Sequence, residues 1–580
     1  MANRKQIGWT VPGFGLPLRW PELQSVRWQP LFQPDENTLL LSALDASENP
    51  RFCYTVRERT MLALINELTD IPDWDRKIFE NDFTFKWKSE KLMSGKDITR
   101  SMADWCVEEV KYYVYNFLRS GVVPAIDGGV IKSNCRISSI LKKELQKAIT
   151  FLRREACKRL SHDDVVVHVV DPHLFPFAWE KTKTLRQGEL ILSDCISRCG
   201  EGETAKMPSQ GDCVQDDPAK YPNDMAWSRR FQYLPFDVKF DKGGDGGSRV
   251  TSYINNVHPA AHQHFYNIVE KLIDATIPMF NQTLIDLKAP GHTNQRFHVA
   301  VLGREPMIVK EPGDFHPPQQ RATRQWLDSQ GRFQDWLFVD LKKEFWNIGL
   351  QMILHIMEIE LSPKKPRYDG EGWHLQGRMN ERICATATYA YSTLNTTPAS
   401  LSLRRRINAE EAMLAKGYIQ SPPWAPEIYG ARSGDPVIQH MGDIIISENR
   451  LITYPNTFQT RLLPIELADK NKPGHVKLLM LHLVDPNRRM MSTAMVPPQR
   501  RDWWAREVRA GNARLWRLPA EVWDTIVEMV EGYPIGMEEG EEIRREFEAE
   551  SKRAREKHTK AMMDYLEWDL DWEDDDWVCV

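Results

Sequence analysis

The sequence predicts an α+β protein, a jelly-roll-like core of short β-strands with helices before and after it. Three observations carry this. The first 160 residues hold apolar side chains at helical spacing, the stretch from about Val165 to residue 500 alternates short β-rich runs with turn residues, and the chain closes on a long charged helix. The divisions that follow are a helical region over 1–160, a β-core with helical insertions over 161–500, and a helical extension over 501–580 with an acidic tail.

In the first region, YTVRERTMLALINELTDIPDW and SMADWCVEEVKYYVYNFLRSG read as helices that stop before Pro72 and Gly121. In the core, VVVHVV, GELILS, RVTSYI, RFHVAVLG, CATATYAYS, NRLITYP and HVKLLMLHLV read as strands. One helix interrupts them: HPAAHQHFYNIVEKLIDATIPMFNQTL has Pro259 near its first turn and Phe265, Val269, Leu272 and Ile273 on one side, the face expected against the sheet. The preceding DKGGDGG lacks the Lys-Ser/Thr ending of a phosphate loop and reads as a surface loop. The last helix, GMEEGEEIRREFEAESKRAREKHTKAMMDYLEW, has few apolar residues and reads as a solvated arm.

Composition bounds the function. The 580 residues carry 76 basic and 81 acidic side chains, a net charge of −5, so binding of a polyanion needs a local patch. No run approaches the roughly 18 apolar residues of a membrane span, and MANRKQIGWTVPGFG lacks a signal-peptide core, which leads us to expect a soluble, cytoplasmic protein with no membrane partner. Nine cysteines, an odd number, suit free thiols in a reducing compartment, and WVCV does not fit the prenylation box. Tryptophans recur from Trp9 to Trp577, so nearly the whole chain contributes to packing or ligand surfaces.

The chemistry centres on GWHLQG. In a strand, His374 and residue 376 share a face, and a carboxylate at 376 with a distant histidine would complete the two-histidine, one-carboxylate triad of non-haem iron oxygenases. Gln376 removes that charge. Glu381 falls on the opposite face of a regular strand unless Gly377 marks a bulge. His355, His440, His475 and His482 lie on β-like segments and read as hydrogen-bonded structural residues. Cys195, Cys199 and Cys213 have near-zinc spacing without a fourth ligand and read as incidental. Arg500, Arg501, Trp503, Trp504 and Arg506 combine arginines with stacking rings, the chemistry of single-stranded RNA binding and a route to tRNA; a packed helix whose arginines pair with the acidic tail is the bland reading. Arg404, Arg405 and Arg406, ahead of a helix expected near Asn408, read as a solvated run or a modest anion site.

Longer motifs are also recognisable. TDIPDWDRKIFENDFTFKWKSEKL, VVDPHLFPFAWEKT, RFQYLPFDVKF, SRVTSYINNVHP, GWHLQGRMNERICATATYAYSTLN and the stretch NRLITYPNTFQT through MVPPQ together resemble a large, mainly fungal family known as a domain of unknown function, number four thousand two hundred and forty-six. That family looks like the 2-oxoglutarate and iron(II) dioxygenases, so the resemblance implies a double-stranded β-helix core from roughly 160 to 500. Its pattern is a Trp-His-x-Glu-Gly strand followed by Pro-Asn-x-x-Gln-His. Mapped here, His374 is the metal ligand, Gln376 stands at the carboxylate position and Thr460 at the second histidine, and these three form the implied catalytic set. Where the family shows Gly-His-Arg-Lys, this chain reads Gly474, His475, Val476 and Lys477, which leaves Arg461 or Lys477 to hold 2-oxoglutarate. Two expectations follow. One is a divergent iron(II) and 2-oxoglutarate dioxygenase acting on a small molecule in fungal specialised metabolism. The other is a repurposed pocket without cofactor: a binding or scaffold protein, or a non-redox enzyme such as one transferring aminoacyl groups from charged tRNA into a small peptide.

Overall fold

A computed structural model describes residues 11–16, 18, 53–156, 165–213, 226–241, 246–288, 339–406, 438–530 and 532–562, with short pieces at 296–297, 299–302, 305–308, 311–312, 315, 428–430, 432 and 435–436. The helices that matter here are α1 (Val56–Leu68), α2 (Arg100–Ser120), α3 (Ser139–Ala156), α4 (Gln263–Lys288), α5 (Arg501–Gly511) and α6 (Met537–Met562). The strands are β1 (Val123–Ile126), β2 (Val130–Ser133), β3 (Val166–Val170), β4 (Phe236–Phe240), β5 (Ser248–Val250), β6 (Leu350–Leu361), β7 (Ile383–Leu394), β8 (Ala399–Arg406), β9 (Ile438–Ile446), β10 (Leu451–Pro455), β11 (Gln459–Leu462) and β12 (Gly474–Val484).

Helix α1 opens on a capping box, with the Thr55 hydroxyl accepting from the Glu58 amide at 3.0 Å and the Glu58 carboxylate accepting from the Thr55 amide at 2.9 Å. Helix α2 ends at Gly121, whose φ of 69° is left-handed and whose absent Cβ would meet Cys135 Sγ at 2.6 Å. Both helices stop where the sequence predicts. The same region also supplies β1 and β2, a hairpin paired onto β10 with Leu451 opposite Ser133. The sheet therefore begins inside the first 160 residues.

The architecture is mixed helix and antiparallel sheet. A nine-stranded sheet runs β5-β4-β6-β12-β7-β10-β2-β1, with β3 also on β6, and a smaller sheet runs β9-β8-β11. An antiparallel bridge between His374 and Thr460 extends the smaller sheet beyond β11. Strand alternation divides the large sheet's faces. On β12, Val476, Leu478 and Met480 join Met357 and Ile359 of β6 and Leu401, Leu403, Phe458 and Leu462 in an inter-sheet core. On the other face Leu479, Leu481 and Leu483 meet α3 and α4, and Phe265, Val269, Leu272 and Ile273 of α4 are buried there as their spacing predicts. Each such side chain contributes about 1.5–3 kcal/mol of burial. The helix starts at Gln263, four residues beyond Pro259.

Two expectations are corrected. GELILS forms no strand; its turns are tied down by the Leu190 amide donating to the Ala494 carbonyl at 2.8 Å, and Leu190 packs beside Leu185 and Trp503. Helix α6 is no solvated arm. Ile543, Phe547, Ala554 and His558 are buried, and Phe547 lies 5.3 Å from the Phe231 ring and 5.1 Å from Tyr233. Those four residues form a thin stripe at helical spacing, which the charges around it conceal in any average over the segment. Most of the DKGGDGG loop, the helix expected near Asn408 and the acidic tail lie outside the described residues. Among the described residues, no helix is long and apolar enough to cross a membrane.

Candidate functional site

The bridge that joins His374 to Thr460 is made in both directions, His374 N–H to Thr460 O at 3.0 Å and Thr460 N–H to His374 O at 2.9 Å. Asn456 fixes the turn beyond it: its Oδ1 accepts from the Gln376 amide at 3.0 Å and its Nδ2 donates to the Gln376 carbonyl at 2.8 Å. Gly377 then takes a left-handed φ of 67°. His374, Gln376 and Thr460 are thus neighbours in the fold. Beneath them lies Tyr454 of β10, whose hydroxyl burial pushes up to about 12 against the polar side chains of Thr388, Thr460 and Gln376.

The ring of His374 is oriented by its neighbours. Nδ1 lies 2.9 Å from the Gly372 carbonyl, which can only accept, so Nδ1 carries the proton of the neutral ring. The Nε2 lone pair faces the Gln376 side-chain amide at 3.1 Å, with the Glu371 carboxylate at 3.8 Å. This is the form of imidazole that accepts a proton or a metal.

His374 and Gln376 line a cavity of 870 Å³ that α6 covers with Arg545, Phe547, Lys552, Arg555 and His558. The large sheet contributes His168, His355, Met357, Met480 and His482. The lone histidines are hydrogen-bonded as expected: His355 Nε2 to His168 Nδ1 at 2.9 Å, His482 to Thr386 at 3.0 Å, His475 to Ser392 and His440 to Ser402 each at 2.8 Å. Burial pushes His482 down to about 3, and burial with the charges of Arg404 and Arg406 pushes His558 down to about 4.

These two histidines set a pH dependence. Unfolded, they take up protons near pH 6.5; folded, they stay neutral until about 3 and 4. Stability is therefore full above the unfolded value and is lost as pH falls toward 4, by about 1.4 kcal/mol per pH unit for each histidine. Urea midpoints at pH 7.5 and 4.5 will show the drop, and His482→Gln will flatten it; an equal drop in variant and parent would rule His482 out.

Other expected residues lie elsewhere. Lys477 is corrected: odd positions of β12 face the helices, and its ammonium pairs with Glu358 at 3.0 Å on that outer side. Val476, wholly buried, points into the inter-sheet core at the position where the resemblance implies an arginine. Arg461 lies on β11 with its guanidinium 4.5 Å from the Trp373 ring centre. Glu381 does line the cavity, but its carboxylate accepts from the Arg378 amide at 2.7 Å and the Tyr233 amide at 3.2 Å, and burial raises its pKa. Cys195 and Cys199 turn to different carbonyls, Leu192 at 3.7 Å and Pro498 at 2.9 Å, with both thiols pushed up to about 12 by burial. In the basic aromatic cluster, Trp503 is 4% exposed and packs on Tyr253 and His258, Arg500 pairs with Asp502 at 2.6 Å, and Arg501 donates to the Pro534 carbonyl at 2.9 Å. Packing and local pairing thus engage three of its five residues, and Arg506 remains exposed at the surface of α5.

The donor set does not fit an iron(II) and 2-oxoglutarate centre. The three mapped positions offer one imidazole nitrogen, a neutral amide and a hydroxyl, and a valine stands in place of the anchoring arginine. Among the described residues, one group of three histidine or acidic side chains comes within metal-binding reach: Asp171, His173 and Glu548. Sequence reasoning missed it, because Glu548 arrives from α6. A guanidinium already serves this group, with Arg544 2.5 Å from Asp171 and 2.9 Å from Glu548. Burial alone would raise Asp171, but the His173 hydrogen bond and the charges of His168, His173 and Arg544 hold its carboxyl well below the usual range.

Fold and site together define a mixed helix and antiparallel-sheet protein with a histidine-rich cavity beside the bridge that joins His374 to its smaller sheet. Within that class the chain belongs to the DUF4246 family of proteins of unknown function, which it matches over residues 100–507, with the DUF4246 N-terminal domain of unknown function matched over 11–90. Two solved structures are similar to it at 10% identity. The first, "IDO from Bacillus thuringiensis", has a TM-score of 0.15, and the match covers 29% of this chain and 57% of that one. The second, the Fe(II)/(alpha)ketoglutarate-dependent dioxygenase TqaL, has a TM-score of 0.21, with 60% and 94% covered. No curated protein matches the chain.

Proposed function

We propose that this protein performs non-redox acid–base chemistry on a small organic molecule in the cavity, on the scaffold of a double-stranded β-helix. Numbered in chain order from β6, with the His374 segment second, the core strands lie 1-8-3-6 in the large sheet and 2-7-4-5 in the smaller one. That order supports the expected jelly roll. The observation that carries the chemistry is the His374 ring, with Nδ1 held by a carbonyl, Nε2 facing the Gln376 side-chain amide, and Glu371 3.8 Å away.

In this reading Nε2 takes a proton from a substrate N–H or O–H as the resulting nucleophile forms, and Glu371 stabilises the imidazolium. The Gln376 amide must yield its place on Nε2 to the substrate. Helix α6 lines the cavity beside the reacting group, so the charges that develop there meet fixed neighbours.

The test compares small-molecule profiles of a host expressing the parent, His374→Ala or Glu371→Gln. The parent's product should fall by about 10²-fold or more in His374→Ala, the range of a positioned base, and by about tenfold in Glu371→Gln. It should persist when cell extract is treated with an iron chelator. Loss on chelation, reversed by iron(II) with 2-oxoglutarate, would sink this reading and restore the dioxygenase one.

A further inference from the structure

The run Arg404 to Arg406 forms the end of β8, and Arg404 meets Arg461 of β11 at Trp373. Their guanidinium carbons lie 4.4 and 4.5 Å from the centre of that one indole ring. Among the described residues, neither arginine pairs with a carboxylate, and Asp443, which feels the charge of Arg461, is itself held by His440 at 3.2 Å. Two cations are thus gathered in a half-buried place, neither of them paired with a carboxylate among the described residues.

The hydrogen bonds around them are incomplete in one sense only. Arg404 Nε donates to Gln459 Oε1 at 2.7 Å, which leaves the Gln459 amide to donate to His558 Nδ1 at 3.1 Å. The proton of the neutral His558 ring then sits on Nε2, which is buried and has no partner. Arg404 Nη2 and Arg461 Nε are likewise buried and unpartnered. All three are donors. Stacking on the indole gives each guanidinium a cation–π attraction, but the ring supplies no acceptor to N–H groups in the guanidinium plane, so these donors stay unmet at a cost to the fold. Burial first and Arg461 second push Arg404 down to about 10, the mark of a cation short of negative charge.

We propose that Arg404, Arg461 and His558 form a binding site for a small oxyanion, a carboxylate or phosphate group, against Trp373 at the edge of the cavity. Such a group accepts hydrogen bonds without donating any and supplies the missing charge, so it meets both deficits at once. Trp373 and His558 also line the cavity, and Trp373 is the residue before His374. An anionic group on a cavity ligand can therefore reach the site. The proposal is independent of the base chemistry, since none of its donors belongs to His374 or Glu371.

The experiment is calorimetric titration of the full chain with inorganic phosphate and, separately, malonate, each against sodium chloride of matched ionic strength. At least one should bind saturably at millimolar concentration or below, and the arm that does so assigns the class. Arg461→Gln should weaken binding at least tenfold, Arg461→Lys should recover part of it, and His374→Ala should leave it unchanged. Circular dichroism of Arg461→Gln checks that the half-exposed substitution preserves the fold. No saturable heat in either arm, or equal binding by parent and Arg461→Gln, overturns the site.

Discussion

Replacing Arg296 with methionine lowers the unfolding free energy by about 3–5 kcal/mol, the range for removing one partner of a buried ion pair. The Arg296 side chain is fully enclosed. Its guanidinium donates to Glu109 at 3.0 and 2.6 Å and to Asp127 at 2.7 Å, and Glu109 also accepts from Trp105 at 2.8 Å and Tyr113 at 2.6 Å. This cluster joins α2 to the turn after β1. Without the cation, two carboxylates remain together, largely shielded from water, with no positive partner between them. Arg296→Met with Glu109→Gln should recover part of the loss. Denaturant midpoints measure this, and a deficit under 1 kcal/mol would contradict the assignment.

The second large effect is a gain. Gln376→Glu combined with Thr460→His should raise affinity for cobalt(II), a spectroscopic substitute for iron(II), by on the order of 100-fold over the parent. The backbone bridge already holds residues 374 and 460 opposite each other, and Asn456 holds the turn at residue 376. The substitutions supply the missing charge and nitrogen at positions whose backbone is already set. Visible absorption during a cobalt(II) titration reads the result. 2-Oxoglutarate should alter that spectrum only when Val476→Arg is added, because the inward position of β12 now carries no cation. A folded double variant with parental cobalt affinity would show that the side chains at 374, 376 and 460 do not converge.

Much of the site was legible. The period-2 placement of His374 and Gln376 and the family-like Pro-Asn-x-x-Gln-Thr segment led to positions that the bridge brings together. The inward face of Val476 follows from β12's alternation once one face is known. Lys477 could not be judged so easily, because in isolation either face of a strand can be the buried one, and only the partner Glu358 shows which way it points. Glu371 was missed because a carboxylate three residues before a histidine carries no strand signal; the turn at Gly372 brings it within 3.8 Å. Six of the fifteen histidines line the cavity, from β3, β6, β12, α6 and two loops, so no spacing rule could have grouped them.

What the sequence by itself determined was local: helix starts and stops at Thr55 and Gly121, the strands with strong alternation, the apolar face of α4, and the absence of a charged ligand at 376. Those features depend on periods of two or 3.6 residues, on caps, and on side-chain chemistry, all of which act over a few neighbours. Tertiary structure alone decided the rest. It placed α6 over the cavity through a stripe too thin to outweigh its charges, gave Arg544 to Asp171 and Glu548, and brought Arg404 and Arg461 from separate strands to one tryptophan. These depend on which surfaces meet across hundreds of residues, where burial and charge pairing are settled by neighbours in space rather than in sequence.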